Sequence, residues 1–136
     1  MNRCIAMNLE ILDKLRDLLS SIEPENYRQT HPQFFDSSIG GHVRHILDFY
    51  DLFFEGVDSG NVDYTKRKRD AGIEQEPSRA KDFLDSIREK IRDVTEKNLK
   101  VISEAKTSTL SSCGRELEFL ASHAVHHNAM IIAMTG

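Results

Sequence analysis

Five of the six histidines stand in two clusters, His42 and His45 in one and His123, His126 and His127 in the other. His123 and His127 are four residues apart. On a helix that spacing turns the second side chain by about 40° and raises it by about 6 Å. Both imidazoles then share one face and can close on a single metal ion. Glu116, Leu120, Met130, Ile131 and Met134 fall on the same face, and its mostly apolar character turns the pair inward. His126 lies about 100° from His127 and faces away. Burying several imidazoles without partners is costly, and one shared cation satisfies them together. The metalloprotease pattern HExxH is absent, because Ala124 occupies its glutamate position. The general base that this pattern supplies is therefore missing.

The elements that carry these clusters follow from apolar periodicity. Ile5, Leu9, Leu12, Leu15, Leu19 and Ile22 recur at three- and four-residue spacing, which predicts a helix from about Cys4 to Ile22. Pro24 ends it, and a loop runs through Tyr27, His31 and Pro32. A second helix opens at Ser37 or Ser38, either of which can cap it, and continues to about Val57. Gly40 and Gly41 weaken its first turn, so another part of the chain must hold that turn or approach it closely. The apolar arc of this helix is wide (Ile39, Val43, Ile46, Leu47, Tyr50, Phe53 and Phe54), and Arg44, Asp48, Asp51 and Glu55 form its polar face. On the helical wheel His42 lies nearer the centre of the arc. His45 lies at its edge beside Phe49 and Leu52. The wheel favours His42 as the partner of the His123 and His127 pair.

Residues 58–76 form a long connection containing Lys66-Arg67-Lys68-Arg69. Pro77 begins a third helix that reaches about Ala105, with Phe83, Ile87, Ile91, Val94, Val101 and Ile102 as its stripe. Residues 107–114 are a polar connection, and a last helix runs from Gly114 to the end of the sequence. No strand of convincing length and no internal repeat is found. The pattern predicts an all-α bundle of four helices in one domain, residues 1–136. The long connections after the first two helices permit crossovers.

Composition narrows the class. With 39% hydrophobic and 29% charged residues the chain reads as an ordinary soluble domain. A net charge of −4 and a pI near 5.8 argue against a nucleic-acid partner, which needs a basic face. No apolar run approaches the roughly 18 residues of a membrane span, and no signal peptide is visible. Cys4 and Cys113 belong to no CxxC pair, so two reduced thiols in a cytoplasmic protein are expected. Cys113 is expected to be structural. The phenylalanines Phe34, Phe35, Phe49, Phe53 and Phe54 are expected in the core. Glu116 and Asp48 are expected as solvated helix charges rather than catalytic groups. The run 66–69 is expected as a solvated loop, with binding of an anionic substrate as its functional alternative.

Two segments resemble a known family. Residues 38–48, SIGGHVRHILD, resemble the second-helix motif of the DinB-like superfamily, and residues 122–131, SHAVHHNAMI, resemble its last-helix HxxxH motif. Residues 62–70, VDYTKRKRD, are similar to a connection found in one branch. The superfamily also includes the YfiT-like hydrolases and the bacillithiol and mycothiol S-transferases. The resemblance implies a four-helix bundle with crossed connections. It also implies one divalent metal ion held by three histidines, which fall here on His45, His123 and His127. It thus selects His45 over the His42 that the wheel favours. Many members follow the last ligand with Arg-Gly-Gln, where this chain has Asn128-Ala129-Met130. Many also continue beyond the position of Gly136, so two alternatives are expected: the last helix simply ends, or a C-terminal piece that closes the pocket is missing.

Three neutral imidazoles leave the ion its full charge and an open position. Such a centre activates a water or binds a thiolate. The implied activity is that of a metal-dependent hydrolase or low-molecular-weight-thiol S-transferase acting on a small molecule. Zinc and nickel fit best, and iron, manganese or copper are also compatible with the ligands. A homodimer is expected, since the second helix has apolar surface to spare. The competing reading is a non-catalytic helical module, also dimeric, in which the histidines are structural.

Overall fold

The computed structural model describes residues 1–135 and is mostly helical. Four long helices dominate: α1 (Asn2–Ser21), α3 (Ile39–Val57), α5 (Pro77–Ile91) and α6 (Cys113–Thr135). Two short helices, α2 (Pro24–Arg28) and α4 (Ala71–Gln75), lie between them. α1 packs on α5 and α6, and α3 packs on the same two helices from the other side. Consecutive long helices α1 and α3 are therefore diagonal to one another, as are α5 and α6. The chain crosses the molecule twice to connect them.

The first crossing uses α2 and a small antiparallel hairpin, β1 (Thr30–His31) with β2 (Ser37–Ser38). The second uses β4 (Asn98–Ile102) and β5 (Ser108–Ser112), an antiparallel pair. A third strand, β3 (Asn61–Asp63), lies parallel to β4 on its other side. These strands correct the sequence reading. The third helix ends at Ile91 rather than Ala105, and the polar connection at 107–114 is largely strand. In β4, Leu99 and Val101 are buried while Asn98 and Lys100 are exposed. That alternation has period two and marks a strand with one face on the core. Counting Val101 into a helical stripe overlooks it.

The core runs through all four long helices, with Leu12, Tyr27, Phe49, Tyr50, Phe53, Leu84 and Leu120 among its fully buried side chains. One polar knot sits inside it. Asn8 is buried, accepts a hydrogen bond from Tyr50 Oη at 2.6 Å, and donates to the carbonyls of Leu117 (2.9 Å) and Cys4 (2.8 Å). It ties α1 to α3 and α6 with every group satisfied. Phe35 departs from expectation: it adopts φ 59° in the turn before β2 and is 95% exposed. Cys113 is buried as expected, and burial with the nearby Glu96 carboxylate raises its thiol pKa. Among the described residues, no helix is long and apolar enough to cross a membrane.

Candidate metal centre

The site is built first by the start of α3. Ser38 is its N-cap, accepting from the Gly41 amide at 3.0 Å. A Cβ at Gly40 would collide with the carbonyl oxygen of Glu74 and stand 2.8 Å from the Tyr27 ring. Glycine at 40 thus lets α4 lie directly on the first turn of α3, which supplies the support that the two glycines called for. Tyr27 Oη closes the joint by donating to the Ile73 carbonyl at 2.7 Å. Arg44 then pairs with Asp48 at 2.7 Å and approaches Glu74 at 3.8 Å. With this end of α3 fixed, His42 and His45 project toward α6.

From α6 come His123 and His127, four residues apart on one face. Each of His45, His123 and His127 offers a ring nitrogen, and these nitrogens lie within 4.8 Å of one another. Ring centroids are 4.9 Å apart for His45 and His123, 4.6 Å for His45 and His127, and 4.5 Å for His123 and His127. All three rings are half-buried. Phe49 walls one side, with its centroid 4.3 Å from His123 and 5.0 Å from His45. His126 is exposed, as its position on the wheel predicts.

The triad fits a cation on three counts. Its donors are imidazoles at a separation that one ion can bridge after small adjustments. His123 Nε2 is buried and has no hydrogen-bond partner, an orphaned acceptor or donor that coordination would satisfy. All three rings resist protonation. Burial, then the neighbouring imidazoles and the Arg67 and Arg44 guanidiniums, push His45 down to about 3. Burial, then His126 and Arg67, lower His123 to about 4. Burial, then His123, His42 and His126, do the same for His127. Neutral imidazole is the form that binds metal.

His42, which the wheel favoured, stands one layer back. Its Nδ1 is 3.0 Å from His127 Nδ1, and its Nε2 is 3.2 Å from Ser37 Oγ. Burial, then His126, lowers its pKa as well. Both histidines of the cluster in α3 therefore reach the site, one beside the other two and one behind.

The basic run divides. Lys68 turns outward to Glu55 and Asp51. Arg67 turns inward, and its Nη1 donates to His45 Nδ1 at 2.9 Å. No carboxylate pairs with Arg67 among the described residues. A ligating imidazole gives one nitrogen to the ion and keeps its proton on the other, so it has no lone pair left for a guanidinium. The Arg67 hydrogen bond and coordination by His45 therefore exclude one another. The wheel contains no sign of this contact, because it depends on the path of the loop after β3.

Two carboxylates also differ from expectation. Asp48 is only 6% exposed and Glu116 only 8%. Asp48 is tied to Arg44. Burial raises its pKa, against the lowering effect of Arg44. Glu116 accepts from Tyr64 Oη and from Ser111 Oγ, both at 2.7 Å. Tyr64 is pushed upward by burial and by that carboxylate. Neither acid joins the histidine cluster. Both have assigned partners, which argues for structural roles.

A cavity of about 400 Å³ reaches two of the three triad rings, lined by Arg28, Ser37, His42, Arg44, His45 and His127 among others. A second, of about 640 Å³, lies past Phe49 and Phe119 and reaches Tyr64 and Glu116.

A search of curated proteins and of solved structures found no match for this chain. The family model of the DinB superfamily matches residues 9–131, which include His45, His123 and His127 and every long helix in whole or in large part. The chain belongs to the DinB superfamily.

Proposed function

We propose that the protein is a metal-dependent enzyme whose four long helices form a crossed bundle around one divalent ion held by His45, His123 and His127. The observation that carries this reading is the convergence of three neutral imidazoles whose ring nitrogens lie within 4.8 Å of one another, with His45 and His127 lining a cavity. Zinc and nickel suit an all-imidazole set.

Thiol S-transfer fits the surroundings better than hydrolysis. A bound divalent ion stabilises a thiolate at neutral pH. Hydrolysis would gain from a free carboxylate base, but Asp48 and Glu116 are both committed to other partners. In S-transfer the thiol loses its proton to solvent, its sulfur forms the new bond, and the leaving group departs with its electron pair. The chain contributes position and charge. Phe49 walls one side of the triad. Arg67, released from His45 by coordination, offers a guanidinium without a carboxylate partner to an anionic group of the small molecule.

The test is turnover by protein loaded with zinc or nickel, using a panel of low-molecular-weight thiols and a reactive electrophile, with an ester panel alongside. Metal-dependent thiol consumption that is lost in His127→Ala supports the proposal. Hydrolysis of esters without thiol transfer overturns the choice of reaction. No turnover in either panel by the loaded protein favours the non-catalytic module.

A further inference from the structure

The hydrogen bonds behind His127 have a direction, and it can be read from their far end. Ser37 Oγ lies 2.7 Å from the carbonyl oxygen of Phe34. A carbonyl oxygen only accepts, so the single hydroxyl proton of Ser37 is used there. Toward His42 Nε2, 3.2 Å away, Ser37 Oγ can then act only as acceptor. His42 therefore carries a proton on Nε2. In a neutral ring this leaves Nδ1 as a lone pair. That lone pair faces His127 Nδ1 at 3.0 Å, so His127 Nδ1 must be the donor. The reverse direction would need a second proton on His42. It would place a full charge on a half-buried ring that pairs with no carboxylate among the described residues.

We propose that His42 is a positioning residue, which, backed by Ser37 and the Phe34 carbonyl, holds His127 in the Nδ1–H tautomer and leaves Nε2 as its free electron pair. The consequence for metal affinity rests on reading the triad as a metal centre. The tautomer itself does not. A neutral imidazole in solution divides between two tautomers and turns about two torsions. A ring held by a hydrogen bond at its far nitrogen has made both choices before an ion arrives. His127 is the member of the triad that receives this support from another imidazole, and the hairpin residue Ser37 links it to the backbone of the first crossing. The pairing of β1 with β2 places Ser37 opposite His31. The hairpin therefore sets the geometry of this support.

The experiment has two parts. Long-range proton–nitrogen correlation spectra of the metal-stripped protein report the tautomer of each neutral ring, and His127 is expected as Nδ1–H. Zinc affinity is then measured by competition with a chelating dye for the wild type, His42→Asn, His42→Leu, Ser37→Ala and His127→Ala. Asparagine can place an oxygen acceptor near the position of Nδ1, whereas leucine cannot. His42→Leu is expected to weaken zinc binding by about 10- to 100-fold, the usual effect of losing such a partner. His42→Asn is expected to recover most of that loss, which a purely packing role for the ring would not produce. Ser37→Ala should weaken binding by a smaller factor, because His42 keeps its acceptor but loses its fixed tautomer.

His127 observed as Nε2–H in the wild type overturns the proposal without any variant. So does wild-type affinity in His42→Leu when His127→Ala abolishes binding. If zinc binding survives His127→Ala unchanged, the metal reading fails, and the spectra still decide the tautomer.

Discussion

Arg67→Ala should bind metal more tightly than the wild type, although the change removes a side chain from the site. Arg67 donates to His45 Nδ1 at 2.9 Å. Coordination through Nδ1 takes the lone pair that accepts this bond. Coordination through Nε2 puts the imidazole proton on Nδ1, where it faces the guanidinium N–H. Either way the bond is lost, and its free energy is subtracted from metal affinity. A hydrogen bond to a charged group contributes about 1.5–3 kcal/mol. Both partners here are half-exposed, and solvent screening reduces that to about 1–2 kcal/mol. The conversion is about 5- to 30-fold tighter binding. Relief of charge repulsion between the guanidinium and a divalent cation acts in the same direction and fades with salt. The assay is dye competition for zinc at low and high ionic strength, with the hydrogen-bond part of the gain persisting at high salt. Unchanged or weaker binding in Arg67→Ala would refute the exclusion argument and show that Arg67 supports the loaded site. Under the proposed function the same variant should also raise KM for an anionic thiol more than it lowers kcat.

Other perturbations separate the site from its scaffold. His45, His123 and His127 are held near 3, 4 and 4, below the ordinary 6.5, so between about pH 4 and 6.5 the unfolded chain binds more protons than the folded one. The stability of the metal-stripped protein should therefore fall as pH drops through that window and level off above it; urea midpoints flat from pH 7.5 to 4.5 would contradict the burial of these rings. Gly40→Ala, which would gain about 1 kcal/mol in an open helix, should instead cost about 2–3 kcal/mol by collision with Glu74 and Tyr27, a sign that urea unfolding reads directly. Asn8→Ala should cost about 1–3 kcal/mol, because it leaves the Tyr50 hydroxyl unpartnered in the core, with metal affinity little changed. Cys113 should react with a thiol reagent only as fast as the chain unfolds, whereas Cys4, which is partly exposed, should react at once.

The long helices α1, α3 and α5 were legible because each carries a strong 3.6-residue stripe, and the histidine pair of α6 was legible because i, i+4 spacing fixes two side chains without knowledge of the fold. The choice in α3 was not. His42 and His45 both reach the site, and only the placement of α6 decides which stands beside His123 and which behind His127. Periodicity on one helix has no information about the neighbour's rotation. The resemblance to family motifs supplied His45. β4 and β5 were missed for a different reason: they are short, and β5 is built from Ser108, Thr109, Ser111 and Ser112, which read as a loop. The strand pairing that orders such residues is non-local. The burial of Asp48 and Glu116 was also hidden, since their partners Arg44, Tyr64 and Ser111 converge only in three dimensions.

Metal content bears most directly on the central claim. Protein purified without a histidine tag and measured by mass spectrometry should hold close to one divalent ion per chain. His45→Ala, His123→Ala and His127→Ala should each lose it, while His126→Ala should keep it. Full occupancy retained in all three triad variants, or a folded wild type that takes up neither zinc nor nickel, would contradict the account.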